Sequence, residues 1–212
     1  MLTSDRKWNT HVFNIAAKSN RSLGLVKRSL HMCKTDAKFL AYASFVRSHL
    51  EYAWSSWDPY TEWNKHKLES VQHRAARFVA RNYDCSKPGK AIVQELGWET
   101  LEQRRKEHSL KLMFKVERGQ SGHKMSKYFE QKTVWITCQC RHNKFYVPPQ
   151  SNTNTYLQSY FPRIIRKWNA LPSELVNSNS LDSFSAGLAR HFSYWVLDSS
   201  TWIDGTTVPL PS

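Results

Sequence analysis

Glycine is scarce in this chain, with 7 in 212 residues, and that scarcity argues against a turn-rich sandwich or barrel, whose tight corners need it. Long apolar runs are missing too. The longest uncharged one, Phe39 to Val46, is far shorter than the roughly 20 residues that cross a bilayer. No apolar segment follows Met1-Leu2-Thr3-Ser4-Asp5-Arg6-Lys7, so no secretory signal is expected. The four cysteines, Cys33, Cys85, Cys138 and Cys140, are spaced without a disulfide framework. These absences together lead us to expect an intracellular protein with reduced thiols. The chain also lacks a P-loop, a His-Glu-x-x-His helix and a Gly-x-Ser-x-Gly elbow. Acidic residues number 17, no two of them adjacent.

Basic and aromatic residues are abundant. Lysine and arginine total 31, for a net charge of +14 and a pI near 9.8. Such a surplus favours a polyanionic partner, nucleic acid first and an anionic membrane surface second; the bland alternative is a solvated basic surface. Hydrophobic residues make up 40% of the chain and include 9 Trp, 9 Tyr and 10 Phe, enough apolar mass to bury a core and to exclude wholesale disorder.

The periodicity is mostly helical. Val12, Ile15, Leu23, Val26 and Leu30 predict a helix over 8–31, and Phe39, Leu40, Ala43, Val46 and Leu50 one over 35–50, with Thr35 or Asp36 near its cap. Asp58-Pro59 signals a turn or helix start. Leu68, Val71, Ala75, Phe78 and Val79 form one stripe of a helix over 62–82. A short helix over 90–96 follows the Ser86-Lys87-Pro88-Gly89 turn. Thr100 and Gln103 have the capping-box pattern and open a long helix through Val116. Gly119 to His123 breaks this rhythm. Lys144–Val147 and Thr155–Tyr160 resemble two short strands, a helix over 162–170 carries Ile164, Ile165 and Trp168, and Ser180 caps a last helix. The expected architecture is mainly α. A helical bundle (1–118) and a linker (119–123) precede a small α+β module with a two-stranded hairpin (124–192) and a tail (193–212).

Several constellations could carry function. Lys67, Arg74, Arg77 and Arg81 fall within about 80° of each other on a helical wheel, a ridge that could follow a phosphate backbone or simply be a solvated face. Arg104, Arg105 and Lys106 open the next helix against its dipole, at about a few tenths of a kcal/mol each; their stems could instead cover core surface. Trp54, Trp57, Trp63 and Trp98 could stack on bases but are read as core. Cys138-x-Cys140-x-His142, with His123 upstream, has zinc-ligand types at poor spacing, so no metal or other cofactor is expected, and a basic loop or RNA contact is favoured there.

Four ordered segments carry a resemblance. Leu50-Glu51-Tyr52-Ala53 leads to Trp57-Asp58-Pro59. Leu68-Glu69-x-Val71-Gln72-x-Arg74-Ala75-Ala76-Arg77-Phe78 and Leu96-Gly97-Trp98-Glu99-x-Leu101-Glu102-x-Arg104-Arg105 follow. Phe161-Pro162-Arg163, leading to Trp168-Asn169-x-Leu171-Pro172, is last. With Trp8-Asn9-Thr10-His11 and Ser180-Leu181-Asp182-Ser183-Phe184 in register, residues 4–192 resemble the C-terminal part of non-LTR (LINE-type, jockey- and CR1-like) retrotransposon reverse transcriptases. The resemblance implies a thumb plus C-terminal extension that grips a template–primer duplex, RNA, DNA or hybrid, through Lys67, Arg74, Arg77, Arg81, Arg104 and Arg105, with a palm domain supplied in trans as a further partner. The family's Phe/Tyr-Ala-Asp-Asp signature is absent. Two-metal nucleotidyl transfer needs converging carboxylates, so this chain alone is not expected to polymerise DNA. The alternative is a truncated mobile-element relic with a purely structural or interaction role, or none. Met1 falling inside what resembles a continuing polymerase domain favours that alternative.

Overall fold

The computed structural model describes residues 8–120, 144–148, 150 and 153–200. The chain divides into two compact units, each assembled from two stretches of sequence: 1–108 with 149–163, and 109–148 with 164–212. The long helix that precedes 119–123 contributes its first half to one unit and its second half to the other.

Every regular element among the described residues of the first unit is a helix. Helix α1 (Asn9–Ser29) buries Val12, Ala16, Ser19, Leu23 and Val26, steps of three and four that hold one stripe against the core. Helix α2 (Thr35–Ala41) passes through a π-helical stretch (Tyr42–Arg47) into α3 (Ser48–Glu51). Tyr42, Val46 and Leu50 are buried there. Their four-residue steps drift by about 40° each in a regular α-helix, and the wider turn offsets that drift. Tyr42 is thereby stacked face to face on Trp98, with ring centroids 4.9 Å apart. Trp98 is only half-buried.

A short α4 (Trp54–Trp57) precedes α5 (Glu62–Ala80), whose buried Leu68, Val71, Ala75, Phe78 and Val79 are the expected stripe. α5 closes on Arg81, which takes left-handed backbone (φ 52°), while Asn82 N–H donates to the Arg77 carbonyl at 3.1 Å. A non-glycine residue in this conformation costs on the order of 1 kcal/mol. Helix α6 (Gly89–Glu95) packs on α5, and Gly89 is required there: a Cβ would lie 2.6 Å from that of His73. Gln103 N–H donates to the Thr100 hydroxyl at 3.1 Å, the expected cap of α7 (Leu101–Glu117).

The second unit packs the end of α7 against α9 (Tyr160–Asn169), α10 (Ser173–Val176) and α11 (Leu181–Ser200). Its core is Leu110, Met113, Phe114, Ile164, Ile165, Trp168, Leu171, Val176, Phe184 and Leu188. Phe114 stacks on Phe184 at 4.5 Å. Ser183 N–H donates to the Ser180 hydroxyl at 3.1 Å, so Ser180 caps α11 as expected.

The expected two-stranded hairpin is not seen among the described residues. Asn154–Leu157 forms a short helix, α8, and Tyr160 already belongs to α9. The other segment, 144–148, is extended, with a single bridge residue at Tyr146, and side chains at the end of α9 fasten it. The Asn169 amide accepts from Tyr146 N–H at 3.1 Å and donates to the Tyr146 carbonyl at 2.8 Å. Trp168 Nε1 donates to the Lys144 carbonyl at 3.0 Å. No sheet is present among the described residues.

Candidate nucleic-acid interface

Lys67, Arg74 and Arg81 are seven residues apart, so they lie along one side of α5 at intervals of about 10 Å. That side meets α1. Asn64 donates to Asn9 at 2.9 Å, the Lys67 ammonium lies over the Phe13 ring at 5.3 Å from its centroid, and Arg74 donates to Asn20 at 2.9 Å. Partners advance together along both chains at an almost constant offset, so α1 and α5 run parallel and their seven-residue repeats meet in one seam. Arg81 ends the row and reaches the Met32 and Cys33 carbonyls at 3.4 and 3.2 Å. None of these three cations pairs with a carboxylate among the described residues.

The cations bordering the seam are crowded. Burial, and then the neighbouring Arg74 guanidinium, hold Lys27 below the ordinary lysine value. Burial does the same to Lys38, with Arg81 adding to it; the Lys38 ammonium sits over the Phe78 ring at 4.7 Å. Positive charges thus face one another along the seam, and a polyanion would relieve that repulsion.

The other expected contacts are engaged within the fold. Arg77 donates to the carbonyls of Asp84 and Lys87, both at 2.6 Å, and so fastens the loop between α5 and α6. Arg104 is fork-bonded to Glu51 at 2.5 and 3.3 Å and lies 3.4 Å from Glu99. Arg105 is turned inward. It is 2% exposed and pairs with Asp58 at 3.1 Å. Arg163 reaches the same carboxylate at 3.0 Å and the Asp58 carbonyl at 2.8 Å.

Comparison with protein-family models, with curated proteins and with solved structures finds no match. The seam must therefore be judged on its own chemistry.

The tryptophans divide. Trp57 is buried and donates to the Tyr52 carbonyl at 2.7 Å, and Trp54 and Trp98 are part-buried. Trp63 departs from the expected core role, being 59% exposed with the Lys67 ammonium 5.6 Å from its ring centroid. The wheel carries the missed signal: Trp63 falls about 40° from Lys67, in the basic sector rather than on the apolar stripe. Among the described residues no group of three His, Cys, Asp or Glu could hold a metal, and no helix is long and apolar enough to cross a membrane. His123, Cys138, Cys140 and His142 lie outside the described residues.

Three histidines in this unit make stability depend on pH. Burial lowers His11, His49 and His73, with Lys18 adding to the effect at His49 and Arg77, His66 and Lys90 at His73. Below the ordinary value of 6.5, the unfolded chain binds protons that the folded chain resists, so unfolding gains. The melting temperature is expected to fall as pH drops from about 7 towards 5, and less steeply in His73→Gln. A flat or rising midpoint would contradict the burial of these rings.

Proposed function

We propose that this chain is a sequence-nonspecific nucleic-acid-binding module that resembles the thumb and C-terminal extension of a non-LTR retrotransposon reverse transcriptase. It grips the backbone of a template–primer duplex, and nucleotidyl transfer belongs to a palm carried by other sequence. One observation carries the binding role: Lys67, Arg74 and Arg81 are aligned without carboxylate partners along the α1–α5 seam. Their span of about 21 Å matches the rise of about six base pairs. Contacts of this kind give affinity and register without choosing a base sequence. Arg is suited to such contacts because its planar fork can pair with two phosphate oxygens. The large positive charge of the whole chain adds long-range attraction that salt weakens.

The salt dependence of binding tests this. Anisotropy titrations of labelled duplex RNA, duplex DNA and hybrid at several salt concentrations are expected to give a steep negative log–log slope. Each lost phosphate contact reduces that slope by about 0.7 to 0.9. The variant Lys67→Gln/Arg74→Gln/Arg81→Gln is therefore expected to flatten it by about 2 to 3 in total, on all three duplexes alike. An unchanged slope in a variant that melts like the wild type rejects the seam as the binding surface.

A further inference from the structure

At one end of the row of cations, Lys67 lies beside two uncovered aromatic rings. Phe13 on α1 is 53% exposed and Trp63 on α5 is 59% exposed, and the Lys67 ammonium lies 5.3 and 5.6 Å from their centroids. Large aromatics on helices of a bundle normally turn inward. These two instead share the polar side of the seam with Lys67, Arg74 and Arg81. Beyond Lys67, towards the start of α5, the next side chain on the same sector is Trp63 itself, so the ladder of phosphate-spaced cations gives way to π surface.

We infer that Phe13 and Trp63 form a stacking platform for an unpaired nucleobase, with Lys67 taking the phosphate next to it. The preferred ligand is then a duplex continued by a single strand, its paired part lying along Arg74 and Arg81 and its first unpaired base on the rings. Every base has a π face, so the platform is as indifferent to sequence as the cations are. The inference rests on the proposed nucleic-acid role of the seam and adds the form of the ligand: a junction between paired and unpaired strands. The lysine serves both contacts, since a cation over a ring is already poised beside the position of a stacked base.

The 212-residue chain is titrated with a labelled blunt duplex and with the same duplex carrying a short unpaired extension, on the 5′ strand in one arm and the 3′ strand in another. The wild type is expected to prefer at least one extended form. Trp63→Ala and Phe13→Ala are each expected to weaken binding of that form by about 5- to 150-fold, the range of a single base–aromatic stack, and to leave the blunt duplex unaffected. Trp63→Phe is expected to keep most of the preference, and Trp63→Leu, apolar but without a π face, to lose it. Both rings are exposed, so a thermal melt of the alanine variants is expected to match the wild type. Equal weakening of blunt and extended forms, or no preference in the wild type, overturns the platform while leaving the seam standing. Failure of the wild type to bind any duplex overturns both.

Discussion

Arg105→Met is expected to destabilise the chain by about 3–5 kcal/mol, the usual cost of removing one partner from a buried ion pair. The guanidinium lies almost wholly out of solvent, and the side chains of its partner Asp58 and of Arg163, the second cation on that carboxylate, are only 11% and 15% exposed. With Arg105 gone, Asp58 keeps one of its two cations in a site already drained of water. Arg105→Lys is expected to rescue only part of the loss, because an ammonium is more strongly hydrated than a guanidinium and is costlier to bury. The double variant Asp58→Asn/Arg105→Met is expected to recover part of the loss, since removing both charges avoids an under-compensated one. Urea unfolding monitored by circular dichroism gives these values. A loss below about 1 kcal/mol would mean that the arginine is solvated and the proposed division between buried and ligand-facing cations is wrong.

The second large effect belongs to Trp168. Its side chain is fully buried, its ring lies 6.1 Å from that of Phe184, and its indole N–H holds the Lys144 carbonyl. Trp168→Ala is expected to cost about 3–5 kcal/mol through the cavity it leaves. Trp168→Phe fills most of that volume but strands the Lys144 carbonyl, at about 1–3 kcal/mol. If the phenylalanine variant is as damaging as the alanine one, the hydrogen bond dominates. If both are mild, the indole is not the centre of this core. Hydrogen exchange at Tyr146 offers a local check: with Asn169 displaced, the Tyr146 amide proton is expected to exchange faster.

Much of the helical framework was legible because it depends on local chemistry. The three-and-four stepping of Val12 to Val26 and of Leu68 to Val79 needs only a helix and a core, and the caps at Thr100 and Ser180 need only the first turn that follows them. The roles of the cations were not legible in the same way. Arg104 and Arg105 find their carboxylates at Glu51 and Asp58, more than forty residues back in the sequence. Side chains that look alike on a helical wheel were separated into inward and outward sets only by partners supplied by the tertiary fold. The π-helical stretch was hidden for a related reason. Its sequence is compatible with an ordinary helix, and the seat that Tyr42 takes against Trp98 makes the wider turn worthwhile. Residues 155–160 read as a strand from β-favouring residue types, yet Thr155 to Leu157 lie in α8 and Tyr160 opens α9, as context overrides such preferences. Trp63 is the instructive miss. Its residue type suggested the core, whereas its angular position placed it with the lysine and arginines, and position decided.

One carboxylate ties together the timing of synthesis. Asp58 receives Arg105 from α7 and Arg163 from a segment that leaves the ribosome only after a long intervening stretch has been made. A nascent chain can form the α1–α5 seam early, yet it must wait for that late guanidinium before Asp58 is fully neutralised. Ending translation soon after Glu117 would release a bundle whose acid is held from one side alone, a candidate for chaperone retention.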